Sequence, residues 1–148
     1  MTINKIILFF ALAVFSFATL GFVFHTESDD GMLRTFNVKI EKSEDGTWRV
    51  RDNEGRNKGT LSVARGDVIN WQAKGSDLVF IFSKDVNNYF EYEGNMFADG
   101  RTQKISNNKK LRLTLKDDAP QGLLTYEVYV TSESKSVVGN SPPRLIIY

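Results

Sequence analysis

The chain has no cysteine, a single histidine (His25) and no appreciable net charge. Each absence removes a class of chemistry. Without thiols there are no disulfides, so the fold rests on packing alone; an oxidising compartment permits disulfides without requiring them. One imidazole cannot build a metal site by itself, and no Ser-His nucleophile arrangement is supported around Ser132, Ser134 and Ser136. Lys5 aside, 18 basic residues stand against 18 acidic ones. That balance gives no electrostatic case for nucleic acid or anionic lipid as a partner. Asn140-Ser141-Pro142 has the wrong spacing for a glycosylation sequon.

What is present first is an uncharged apolar run from Ile6 to Phe24, preceded by Lys5 and followed by Glu27, Asp29 and Asp30. A basic start, an apolar stretch and an acidic exit read as an export signal, with everything after His25 outside the cytoplasm. At about 1.5 Å per residue the run comes close to the roughly 30 Å of a bilayer's hydrocarbon core. Two fates are open: a retained N-terminal hydrophobic helix over 1–24 that anchors the chain, or a signal peptide cleaved near Ser16-Phe17-Ala18. Residues 25–31 read as a polar linker, with His25 a solvated residue within it. Residues 32–148 read as one domain.

That domain alternates with period two, the mark of half-buried strands. Strands are expected at 33–40, 47–51, 60–64, 67–72, 78–82, 110–115, 124–130 and 144–148. Glu44-Asp45-Gly46, Asp52-Asn53-Glu54-Gly55 and Arg65-Gly66 supply turns, as do Asp117-Asp118. The strands 67–72 and 78–82 are expected to pair. No helical period persists, so many short strands argue for a sandwich or barrel. One connection, Lys84 to Asn108, is long enough to expect a short helix or irregular strand within it, and long loops are where function tends to sit.

Three stretches together resemble a cupredoxin. Ser62-Val63-Ala64-Arg65-Gly66-Asp67-Val68-Ile69-Asn70-Trp71 is similar to that family's strand, Gly-Asp turn and strand ending in Trp. Thr125-Tyr126-Glu127-Val128-Tyr129-Val130, after Ala119-Pro120-Gln121-Gly122, resembles its penultimate strand. Val138-Gly139-Asn140-Ser141-Pro142-Pro143-Arg144-Leu145-Ile146-Ile147 resembles the ligand loop leading into the last strand. The resemblance implies an all-β, cupredoxin-like Greek-key β-sandwich. Its copper ligands do not carry over. A blue-copper site needs two histidines and a cysteine, usually with a weak axial methionine. By the resemblance the first histidine falls near Ser76 or Asp77, the cysteine at Val130, and the rest within Ser134 to Val138. No cofactor and no metal site is therefore expected.

The expected function is a non-enzymatic binding or interaction module on a copper-free scaffold, exported and either membrane-anchored or released into the periplasm. Its partner is an unknown protein or glycan. The candidate contact residues are Tyr89, Phe90, Tyr92, Met96 and Phe97, because aromatics and methionine concentrate at interface cores; the competing reading is that they cap the sandwich. With them are weighed the loops near Ala73 to Asp77 and Thr131 to Pro143. Trp48 and Trp71, on strands, read as core. Two alternatives stand beside this: a hydrolase-type enzyme using carboxylates and lysines, and a hard-cation protein using Glu91, Glu93 and Asp99, which lack the usual Asp-x-Asp-x-Asp-Gly spacing.

Overall fold

Two rows of alternating apolar residues, Ile69-Trp71-Ala73 and Leu78-Phe80-Phe82, are buried almost completely, and each needs an opposing layer. The chain answers by placing them in two sheets that face each other, as a computed structural model describes for residues 32–92, 97, 99–137 and 142–148. The N-terminal segment 1–24, the linker 25–31 with His25, and the candidate Met96 lie outside the described residues. Among the described residues no helix is long and apolar enough to cross a membrane.

The strands are β1 (Thr35–Lys42), β2 (Trp48–Asp52), β3 (Thr60–Val63), β4 (Val68–Ala73), β5 (Leu78–Phe82), β6 (Phe90–Glu91), β7 (Thr102–Ile105), β8 (Lys110–Leu115), β9 (Gly122–Val130), β10 (Lys135–Ser136) and β11 (Arg144–Ile147). One sheet runs β2-β1-β4-β8-β6; the other runs β3-β11-β9-β5-β7, with β10 beside β9. Most neighbours are antiparallel. The first and last strands are the exceptions, β1 lying parallel to β4 and β11 parallel to β3.

The expected pairing of 67–72 with 78–82 is corrected. β4 bonds to β1 and β8, while β5 bonds to β7 and β9. The reason is burial: both strands point a full apolar row inward, so they meet face to face rather than edge to edge. Trp71 packs edge-on against Phe80 at 5.8 Å and Phe82 at 6.3 Å between ring centroids. Gly75, at φ +94, lets the short connection 74–77 cross from one sheet to the other.

A second crossing, Ala64 to Asp67, joins β3 to β4 through Gly66 at φ +81, where a Cβ would also meet the Leu33 side chain at 2.5 Å. Among its described residues the long connection 84–101 holds a 3₁₀ turn at Val86–Asn88 and the short strand β6, where a short helix or irregular strand is expected. It reaches from β5 to the far edge of the opposite sheet and returns as β7, covering the side of the core. β1 begins two residues later than expected because Arg34 is engaged elsewhere.

Candidate functional site

Around the positions to which the resemblance assigns copper ligands, the described residues bond to one another. Ser76 is buried, its hydroxyl donating to the Asp77 carbonyl (2.9 Å) and accepting from the Ser132 N–H (3.2 Å). The Thr131 N–H also donates to the Asp77 carbonyl at 3.1 Å. Val130 is fully buried opposite Leu78. The segment after Val130 turns back as β10 along β9, with Ser134 at φ 51 in the turn. Above them the Trp48 indole N–H donates to Glu133 Oε1 at 3.0 Å, and Lys42 Nζ lies 2.7 Å from the same oxygen. Lys42 and then Trp48 hold the Glu133 carboxyl below its usual range. Of the two loops near Ala73–Asp77 and Thr131–Pro143, the described parts are tied to each other by the Ser76, Asp77, Thr131 and Ser132 contacts, and residues 138–141 lie outside the described residues. Among the described residues no group of three or more His, Cys, Asp or Glu side chains could hold a metal ion.

The aromatic segment stands apart from that end. Tyr89, Phe90 and Phe97 are buried in the core, and Tyr92 packs half-buried against it. Phe97 lies edge-on to Phe82 at 5.9 Å, and Tyr92 tilts against Phe97 at 5.6 Å, extending the ring cluster of Trp71, Phe80, Phe82 and Tyr126. β6 bonds at Leu115 and Thr114, away from the Ala73 end of β4. The described aromatics therefore line the covered side of the core. Trp48 and Trp71 are core as expected. The Trp71 indole N–H donates to the Tyr126 hydroxyl at 3.0 Å, and burial pushes that phenol's pKa well above its ordinary value.

Asp67 is the one buried carboxylate among the described residues. Its oxygens accept from the Arg34 N–H (3.0 Å), the Arg34 guanidinium (2.6 Å) and the Ala64 N–H (2.7 Å). Burial opposes its charge, but the donors from Arg34 and Ala64 prevail and lower its pKa. Arg34 also donates to the Tyr148 hydroxyl at 2.7 Å. With its acceptor sites occupied, Asp67 is a clasp that ties Arg34, and through it Tyr148, to the β3–β4 crossing. Asp99 is likewise spent within its own turn. Thr102 and Arg101 hold its carboxyl at about 2. Glu91 points outward opposite Thr114, and Glu93 lies outside the described residues.

Two surface features were not singled out from the sequence. Leu33, Leu123, Ile146 and Tyr148 are exposed and gather where β1 begins: Leu123 pairs with Ile146, Tyr148 bonds to Val63, and Leu33 adjoins Gly66. On the opposite sheet, the outward positions of β1, β4 and β8 carry amides and cations in register. Period-two alternation marks each outward residue, but only the strand order brings them together.

No protein-family model matches the chain, and no curated protein matches it. Among solved structures it is similar to an oxidised, substituted amicyanin at 13% identity, covering 77% of this chain and 82% of that one, with a TM-score of 0.38. A reduced Cu(I) form at pH 4 of another substituted amicyanin is similar at 14% identity over 82% of this chain and 87% of that one, at the same TM-score of 0.38.

Proposed function

We propose that this chain is an exported, non-enzymatic binding module whose N-terminal segment holds it at the outer face of a membrane. One observation supports the tether more than any other. The exposed apolar side chains Leu33, Leu123, Ile146 and Tyr148 collect at the end where β1 begins, the end nearest in sequence to the apolar run Ile6 to Phe24. Exposed apolar residues gathered on one patch mark protein or membrane contact, whereas scattered ones need no explanation. A bilayer surface is the apolar phase that this end would meet if the run is retained as an anchor. The binding role is supported by the pairs Ser76–Ser132 and Trp48–Glu133, hydrogen-bonded where the resemblance would put copper ligands.

The test is fractionation of cells making the full chain, with external protease and mass spectrometry of the N-terminal peptide. The expected result is an intact N-terminal peptide in the membrane fraction and a domain digested from outside intact cells. A peptide beginning near residue 19 in a soluble exported fraction would replace the tether with a cleaved signal. Full-length chain in the soluble cytoplasm would overturn export altogether. Affinity capture from the same membranes tests the module: specific co-purification of a protein or glycan supports it, and turnover of a test substrate by the purified chain overturns it.

A further inference from the structure

The outer face of the β2-β1-β4-β8-β6 sheet carries chemistry that the fold does not use. Inward positions of its strands fill the core, so outward ones answer to solvent or ligand. Across β1, β4 and β8 they form two rows in register, Asn37-Asn70-Arg112 and Lys39-Gln72-Lys110. With neighbouring strands about 4.8 Å apart, Lys39 and Lys110 flank Gln72 from backbones roughly 10 Å apart. A depression of about 210 Å³ lies here, lined by Asn37, Lys39, Asn53, Asn70, Gln72 and Lys110, with Val38, whose own side chain is buried on the inner face.

Among the described residues Lys39, Lys110 and Arg112 have no ion-pair partner, while Arg34 and Arg49 each have one and Arg56 has two. Within the rows, the Asn70 side-chain N–H donates to Asn37 Oδ1 at 3.1 Å, which orients both amides. Carboxylates stand at the margins, Glu41 opposite Arg49 and Glu91 opposite Thr114. The two rows carry no aromatic or aliphatic side chain. They therefore have no platform on which nucleic-acid bases stack, no apolar wedge for a lipid surface, and none of the Tyr, Trp or Met anchors of a protein interface. Cations take acid groups; amides both donate to and accept from hydroxyls.

We propose that this face binds an acidic polysaccharide. Lys39, Lys110 and Arg112 meet its carboxylate or sulfate groups, and Asn37, Asn70 and Gln72 meet its hydroxyls. The proposal rests on the reading of the domain as a binding module and is independent of the tether.

The test titrates the full chain, in neutral detergent at about 0.15 M salt, with polygalacturonate, a neutral galactan, phosphatidylglycerol vesicles and poly-dT. Polygalacturonate is expected to bind through this face, and any vesicle binding, which belongs to the apolar run and the apolar end, is expected to be the same in the K39Q/K110Q variant. The K39Q/K110Q variant should weaken it at least tenfold, and Asn70→Ala several-fold. The pair K84Q/K135Q, with the same loss of charge away from this face, should leave binding and melting temperature unchanged. An equal loss in that control pair overturns the proposal in favour of unspecific charge attraction, as does equal binding of the galactan. Binding of the vesicles or poly-dT in place of polygalacturonate overturns the ligand class. If no probe binds, the glycan is overturned and the module reading stands or falls on its own capture experiment.

Discussion

The two outer faces of this sandwich rise from the same strand alternation over a shared core, and they carry opposite chemistry. On β9, β11 and β5 the outward positions include Leu123, Ile146, Ile81, Val79 and Tyr129, interrupted by Glu127 and Arg144. On β1, β4 and β8 they are Asn37, Lys39, Asn70, Gln72, Lys110 and Arg112. Nothing inside the core demands this difference, because both sheets bury equally apolar inner rows. The difference is therefore free to answer to what each face meets. A net charge near zero conceals it: the chain is neutral as a whole and cationic on one face.

The comparison can be broken most severely from inside. Trp71 and Gln72 are adjacent on β4, one pointing inward and one outward. Trp71→Ala is expected to cost about 3–5 kcal/mol, through lost burial and the cavity left among Phe80, Phe82 and Tyr126. Gln72→Ala should stay within about 0.5 kcal/mol, as surface changes do. Denaturant titration measures both; a similar cost for the two would mean that the outer face is structural and not reserved for a ligand.

Next in size is the clasp at the end of the sandwich. Asp67→Asn should cost about 1–3 kcal/mol, because an amide cannot accept as a carboxylate does from Arg34 and Ala64. Asp67 has a folded pKa below its unfolded value. Its contribution is therefore complete above the unfolded pKa, roughly 3.9, and is lost as pH falls through the folded value. Unfolding free energy measured from pH 6 downward should fall less steeply in the variant. An unchanged slope would remove the clasp from the account. Tyr126→Phe, which strands the Trp71 N–H in the core, should also cost about 1–3 kcal/mol.

How much of this was legible follows from what alternation encodes. β5 and β8 have the bounds expected from sequence, because Leu78-Phe80-Phe82 and Leu111-Leu113-Leu115 state both strand and inner face. The same strength of pattern misled the pairing of β4 with β5: alternation tells which side faces inward but not which sheet a strand joins. β7 was hidden in the long connection because Thr102-Gln103-Lys104-Ile105 buries only Ile105 fully and reads as loop. The aromatic segment was legible as unusual, yet burial is a tertiary property, and Tyr89, Phe90 and Phe97 are covered. The cationic face was spelled out residue by residue, but Lys39 and Lys110 come to flank Gln72 only through the parallel pairing of β1 with β4 and the antiparallel pairing of β4 with β8.

The smallest expected effect on stability sharpens the comparison furthest. Leu123→Gln with Ile146→Gln replaces two exposed apolar side chains by polar ones of similar length. Since both already face solvent, unfolding free energy should change by no more than about 0.5 kcal/mol. If this end rests on a bilayer, the same change removes roughly 1 kcal/mol of interfacial burial per side chain. A chain lacking residues 1–24, refolded and shown by melting to be intact, isolates this term from the anchor itself. Its flotation with neutral vesicles should fall about tenfold or more in the double variant, while polygalacturonate binding stays as it was. Loss of both would join the two faces into one surface; loss of neither would leave Leu123 and Ile146 as ordinary exposed residues. Loss of vesicle binding alone assigns the apolar end to the membrane and leaves the cationic face free to reach away from it.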